Sequence, residues 1–289
     1  MSQPSIGFVS FASGHLRWRF ARVRLNQQIK QFRYFESAEV YSEKKLHSMV
    51  NRQVRELIAD NSLGHGLWIW KPIIILDFLE KNPLCDSILY LDAGCDFNSS
   101  DSSKRKWNEY VSDLAKFDSI IFQSTHAEES YTSKKLVKKL AAEIADIKSG
   151  QIEAGAFFMN RVFALKFCRE WLEIMLEDDF GFLRNGKSSK PSDFYECHID
   201  YRYDQSIFSL MMKQRQGVKI LQTDQETDFA PYWKEGLEYP ILTSRNRSIV
   251  PILRIGFIAR VIRRIERRII RTYNSVNTRK KIRTRRITF

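Results

Sequence analysis

The segment Asp86–Asn98, D-S-I-L-Y-L-D-A-G-C-D-F-N, constrains the fold more than any other. Ile88-Leu89-Tyr90-Leu91 is apolar without alternation, so a strand built from it needs cover on both faces. The run stops at a carboxylate, Asp92, and Ala93, Gly94, Cys95 and a second carboxylate, Asp96, follow. Such a strand belongs inside a mostly parallel sheet, and ligands of open α/β sheets sit beyond the carboxyl ends of strands like this one. Two acids and a glycine there suit a hard cation and a phosphate-bearing ligand. They suit an ordinary polar turn equally well, because Asp and Gly are common turn residues.

The rest of the chain alternates strand-like and helix-like segments. Ser5–Ala12 reads as a strand, Leu16–Phe32 as a helix and Ala38–Tyr41 as a short strand. Arg17, Arg19, Arg22 and Arg24 punctuate the first helix; they fit a solvated face, or one or two of them fit a diphosphate at the strand-to-helix turn. Glu43–Met49 and Asn51–Ala59 read as helices. Gly64-His65-Gly66-Leu67-Trp68-Ile69-Trp70-Lys71-Pro72 then makes a sharp turn into an apolar helix, with proline in the first turn, where its missing N–H costs nothing. Lys71 at that helix start fits a phosphate partner. Beyond the organising strand come a helix at Lys104–Lys116, a strand at Asp118–Gln123, a helix at Ser133–Ile147, a strand at Gln151–Asn160 and a helix at Phe163–Leu176. Gly181–Ser192 reads as a surface loop or lid, a helix runs on to Lys213, and Val218–Leu221 is a last strand. This alternation predicts a mostly parallel α/β sheet flanked by helices.

Charge divides the chain in two. From Arg245 to Phe289 there are fifteen Lys and Arg against one acid, Glu266, whereas the whole protein has a net charge of +13. Residues 1–244 are therefore close to neutral, and no nucleic-acid partner is expected for them. In Ser248–Thr272, Leu253, Phe257, Ile258, Val261, Ile262, Ile265 and Ile269 recur at helical spacing among Arg260, Arg263, Arg264, Arg267, Arg268 and Arg271. This basic amphipathic helix suits an anionic membrane surface, with an RNA-binding or partner-binding tail as the alternatives. Four scattered cysteines, with no C-x-x-C pair, fit a reducing compartment. The amino terminus reads as a strand rather than a secretory signal, and no apolar run is long enough for a spanning helix. The expected location is cytoplasmic, peripheral on the inner face of the cytoplasmic membrane.

Four segments, G-H-G-L-W-I-W-K-P at Gly64–Pro72, I-L-Y-L-D-A-G-C at Ile88–Cys95, Q-I-E-A-G-A-F-F at Gln151–Phe158 and R-Y-D-Q-S at Arg202–Ser206, resemble those of a GT-A-type glycosyltransferase. The resemblance is to the bacterial enzymes of surface-polysaccharide clusters (O-antigen, lipopolysaccharide, capsule). It covers about Ile6 to Ala230 and implies a GT-A catalytic domain over residues 1–244 with a membrane-associating tail over 245–289. It implies a nucleotide-sugar donor, a lipid-linked or lipopolysaccharide-type acceptor, and Mn²⁺ or Mg²⁺ held against the diphosphate. Asp92 takes the first place of the family's D-x-D element. Gly94 stands in the second, so Asp96 becomes the expected second metal ligand. Lys71, Ala93, Gly94, Gly155 and Gln205 fall beside the donor, and Glu153 and Asp204 at the reacting sugar and acceptor. The departure at Gly94 leaves an alternative open, a non-catalytic transferase-fold module docked by its tail.

Overall fold

The computed structural model describes residues 4–188, 190–222, 238–252 and 256–285. In chain order it runs β1 (Ile6–Ala12), α1 (Leu16–Phe32), β2 (Ser37–Ser42), α2 (Glu43–Met49), α3 (Arg52–Asp60), the single turn α4 (Gly64–Leu67) and α5 (Trp70–Lys81). Then come β3 (Ser87–Leu91), β4 (Asp96–Phe97), α6 (Asp101–Leu114), β5 (Ser119–Ala127), α7 (Lys134–Lys139), α8 (Ile144–Lys148) and β6 (Gly150–Asn160). The last elements are α9 (Arg161–Ser188), α10 (Tyr203–Lys213), β7 (Val218–Gln222), β8 (Ile241–Leu242) and α11 (Phe257–Arg285).

Six strands form one mixed sheet in the order β2-β1-β3-β6-β5-β7. Only β6 runs against the others, pairing antiparallel with β3 and β5. The central strand β3 is buried along its whole length, as its unbroken apolar run predicts. Ile88 and Tyr90 enter a core with α5, α9 and α10, while Leu89 and Leu91 enter a second core with α1 and α6. Each fully buried side chain of this size contributes about 1.5–3 kcal/mol. Because β1 pairs with β2 on one side and β3 on the other, the strand order reverses at β1. The carboxyl ends of β2, β1 and β3 therefore share one edge, the usual ligand edge of such sheets.

Three expectations change. Ser133–Ile147 is two short helices, broken where Ala141 takes a left-handed conformation at φ 49°. Gly181–Ser188 is helical rather than loop. The break lies earlier, at Glu177–Phe180, and the buried Phe180, Phe182 and Leu183 fasten the segment to the core. Ser189 and Leu253, both parts of earlier expectations, lie outside the described residues.

The third change concerns the boundary at 244/245, which falls inside a buried clasp. β8 pairs antiparallel with β4, and Asn246 N donates to Gly94 O at 2.7 Å. Arg24, fully buried on α1, donates from Nη1 to Asn246 O and Ser248 O, both at 2.7 Å. Its Nη2 donates to Ala93 O at 2.7 Å and Cys95 O at 2.9 Å. Its Nε lies 3.2 Å from Asp96 Oδ1. Residues 241–252 thus belong to the body, and the tail leaves it at α11. Removing one partner of a buried, hydrogen-bonded pair strands the other charge. Asp96→Ala is expected to cost about 3–5 kcal/mol in chemical denaturation; a loss below ~1 kcal/mol, the scale of an exposed pair, would show that Arg24 does not depend on it.

Candidate functional site

Asp92 leaves the end of β3 and is the one residue of the Asp92–Asp96 turn whose carboxylate reaches the open, at 40% side-chain exposure. Its Oδ1 accepts the Tyr90 hydroxyl at 2.6 Å and stands 3.7 Å from Lys71 Nζ. A Cβ at Gly155 would stand 3.2 Å from Oδ2, so glycine there leaves that oxygen clear. Burial first, and then the Asp92 charge, push the Tyr90 phenol well above its ordinary range, which keeps it a neutral donor.

Lys71 sits in the first turn of α5 and is almost completely buried. Its ammonium meets Asp204 Oδ2 at 2.7 Å and donates to Ala154 O at 2.9 Å, besides facing Asp92. Burial disfavours its charge, but Asp204 and Asp92 outweigh burial and raise the Lys71 pKa. The cation is committed to protein groups, which corrects the expectation that it meets donor phosphate. Asp204, in the first turn of α10, is enclosed as well. Burial pushes its carboxyl up to about 6, with Asp92 adding to the rise and Lys71 opposing it. Asp204 is thus enclosed, and it reaches Asp92 only through the Lys71 ammonium that lies between them.

The strand β6 supplies the third wall. Ile121 faces Phe157, but Gln123 faces Ile152, so β6 carries extra residues between these pairs. The bulge frees Ala154 O for Lys71 and Gly155 O for Asp92 N, at 2.8 Å for the latter. Alanine and glycine let the backbones approach. Glu153, half-buried, adds to the upward push of burial, Asp92 and Asp96 on the Cys95 thiol, so its charge lies within electrostatic reach of Cys95. Gln205 donates to Gln151 Oε1 at 2.8 Å, and Gln151 donates to buried Glu128 at 2.9 Å. Glu128 also holds Lys213 at 2.9 Å. This ion pair behind α10 escapes sequence reasoning, because Glu128 and Lys213 lie in ordinary-looking surface stretches.

Ala93, Gly94 and Asp96 depart from expectation. Ala93 and Gly94 are buried. A Cβ on Gly94 would meet Arg245 Cα at 3.3 Å, so glycine at this place lets the 244–246 segment cross closely. Both Asp96 oxygens are taken. Oδ1 faces Arg24 and accepts from Gln28 Nε2 at 3.2 Å and Ile252 N at 3.1 Å, and Oδ2 accepts from Ser244 at 2.6 Å. Asp92, next to an ammonium and without a second open carboxylate from Asp96, does not fit the Mn²⁺ or Mg²⁺ site that the D-x-D resemblance implies.

Along the same sheet edge, the ends of β1 and β2 open into a cleft of about 820 Å³. Gly14, Arg19, Arg22, Asn26, Glu43 and Lys44 line it. Gly14 N donates to Glu43 Oε2 at 2.7 Å and Arg19 Nε donates to Gly14 O at 2.8 Å. Arg22 Nε is buried without a hydrogen-bond partner among the described residues. The four arginines of α1 thus divide: Arg24 is structural, Arg19 and Arg22 face the cleft, and Arg17 is exposed.

The helix α11 lies against the body. Glu266, the single acid of the tail, is buried and accepts from Ser248 Oγ at 2.6 Å and Ile249 N at 2.7 Å. Arg263 donates to Pro251 O at 2.9 Å, so it docks the helix instead of facing outward. Arg260, Arg264, Arg267 and Arg268 are exposed. So are Ile258, Ile265 and Ile269, which share one side of the helix by their spacing. Among the described residues, no helix is long and apolar enough to cross a membrane.

No family model and no curated protein matches the chain. Among solved structures it is similar to a glycosyltransferase involved in glycosylation of the major capsid of PBCV-1. The TM-score is 0.47 at 13% identity, over 83% of this chain and 93% of that one. It is also similar to apo mouse xyloside xylosyltransferase 1, with a TM-score of 0.44 at 10% identity over 86% of this chain and 100% of that one.

Two outcomes follow for the Lys71 cluster. The folded Asp204 carboxyl, at about 6, stands above its unfolded value of 3.8. Its contribution to stability is therefore full below the unfolded value, falls as pH rises through this window and levels off above it. Denaturation across that range is expected to show this slope in the native chain and its loss in Asp204→Asn. Lys71→Met should cost about 3–5 kcal/mol, with Lys71→Met/Asp204→Leu recovering most of it. No recovery in the double variant would mean that the two charges are not a coupled pair.

Proposed function

We propose that this chain is a glycosyltransferase that takes a nucleotide-diphosphate sugar and passes the sugar to a lipid-linked or lipopolysaccharide-type acceptor at the inner face of the cytoplasmic membrane. One observation carries the reading: the basic cleft at the ends of β1 and β2 and the open carboxylate of Asp92 at the end of β3 flank the reversal in strand order. The cleft suits the charged part of the donor. Arg19, Arg22, Lys44 and the first N–H groups of α1 supply positive charge where a diphosphate gathers negative charge on leaving. Asp92 is left to accept hydrogen bonds from the sugar, held by Tyr90 and by the Lys71–Asp204 pair.

In the transfer, the bond between the anomeric carbon and the diphosphate oxygen breaks, the electron pair leaves with the diphosphate, and the acceptor oxygen forms the new bond. Glu153, on the bulge beside Gly155, is the carboxylate we assign to the acceptor hydroxyl and its proton. No step is routed through a metal at Asp92. α11 presents exposed arginines beside exposed isoleucines, the pairing that a helix lying flat on anionic lipid requires.

A panel of nucleotide sugars, read by thermal shift and donor hydrolysis, tests the reading. One nucleotide is expected to stabilise the chain, and Arg22→Ala is expected to weaken its binding about tenfold, or ~1.4 kcal/mol. Asp92→Asn should slow turnover at least ~10-fold, equivalent to about 1.4 kcal/mol of barrier. Absence of stabilisation by every nucleotide would sink the proposal. Flotation with anionic vesicles should retain the native chain and release Ile265→Glu/Ile269→Glu; binding to RNA but not to vesicles would overturn the membrane reading.

A further inference from the structure

A second group of metal-ligating side chains lies apart from Asp92. Glu43, His47 and His65 each offer a ligand atom within 4.8 Å of the other two. Glu43 and His47 are four residues apart on α2, so they project from the same side of the helix. His65 comes from the Gly64-His65-Gly66 turn and has a left-handed backbone at φ 52°, flanked by glycines at 57° and 89°. A non-glycine residue persists there only where its surroundings hold it. Here Gly66 N donates to Asn61 O at 2.8 Å, Trp70 Nε1 donates to Gly64 O at 2.9 Å, and the Phe11 ring lies 5.5 Å from the imidazole.

Two features point to a ligand rather than to a packed polar cluster. His47 Nε2 and His65 Nε2 are both buried and lack a hydrogen-bond partner among the described residues. Buried imidazole nitrogens normally have one. The third residue is already oriented from behind, since Glu43 Oε2 accepts from Gly14 N at 2.7 Å. A protein group of that kind commonly fixes a ligating carboxylate.

We propose that Glu43, His47 and His65 bind a first-row transition-metal dication of the zinc type. Two imidazoles and a carboxylate form a set that suits Zn²⁺ and its neighbours better than Mg²⁺. Such an ion takes imidazole nitrogen and carboxylate oxygen at ~2.0–2.2 Å, so the three donors draw closer together when it binds. Three protein ligands leave further positions open. Glu43 and His47 line the same cleft as Arg22 and Lys44, so an open position on the ion suits a phosphate oxygen bound there. The ion lies at the Glu43–His47 side of the cleft, whereas the D-x-D resemblance places metal at Asp92 and Asp96.

Metal binding is measured on the full chain after chelator treatment, without any sugar donor, so its outcome is separate from that of the transferase reading. Zn²⁺ is followed by competition with a chromophoric chelator and Co²⁺ by its visible absorption. One ion per chain is expected. His47→Asn, His65→Asn and Glu43→Gln should each weaken binding about 10–100-fold or more, the scale already seen for outer-shell partners. Asn is chosen at His65 because it tolerates the left-handed backbone; should that variant fail to fold, His47→Asn and Glu43→Gln decide. Asp92→Asn should bind as the native chain does. Failure to bind either ion at sub-millimolar concentration, or unchanged affinity in His47→Asn and Glu43→Gln, would overturn the site.

Discussion

The Arg24–Asp96 pair is the constraint on which the rest depends. Taking both charges out of water is costly, and good geometry with further hydrogen bonds is what makes such a pair tolerable. Arg24 meets that condition, since four carbonyls from two distant segments take its Nη hydrogens while Asp96 faces Nε. The guanidinium ties the Asp92–Asp96 turn to the 244–248 segment, and through Ser248 and Glu266 to α11. One buried cation thus sets the shape of the turn that presents Asp92 and the place where the amphipathic helix begins.

A second layer of charge fixes α10. Asp204 in its first turn pairs with Lys71, and Lys213 in its last turn pairs with Glu128. Both signs agree with the helix dipole. The helix is pinned at one end to α5 and at the other to the turn after β5, and it packs on β6, whose bulge carries Glu153-Ala154-Gly155. Among the described residues, this support leaves a small set of charged groups on the sheet edge: Asp92 in the open, Arg19, Arg22 and Lys44 in the cleft, and the half-buried Glu43–His47–His65 cluster beside them. The fold hides the charges that build the edge and exposes those available to a ligand.

Much of the frame was legible because periodicity follows burial. The unbroken apolar run at Ile88–Leu91 became a strand buried on both faces, and Leu16–Phe32 became a helix with the expected limits. Asp92 was legible as the acid at a strand end. Its neighbours were not, because nothing local shows that residues 244–246 cross Gly94 or that Asp96 turns inward to Arg24. Lys71 looked like a phosphate ligand because a sequence gives a charge and not its partner; Asp204 lies 133 residues away. Glu266 carried a signal, since a lone acid in a basic helix is out of place on a lipid-facing or solvated surface. The reversal of β6 was not legible, because alternating strands and helices fit either direction at that point.

The clasp also orders events in time. Arg24 and Ser248 are 224 residues apart, so the loop they close spans most of the 289-residue sequence. Long-range contacts of this kind form late, since the ends of a long loop must meet before the contact can reward the entropy lost. During synthesis, α1, β1 and β3 emerge well before residues 244–248, and a domain folding from its amino end must wait for them. Until they arrive, Arg24 has neither Asn246 nor Ser248 to hold. Until residues 244–248 are made, the Asp92–Asp96 turn therefore lacks part of its support, so a nascent chain can hold much of its core before this turn is fully held.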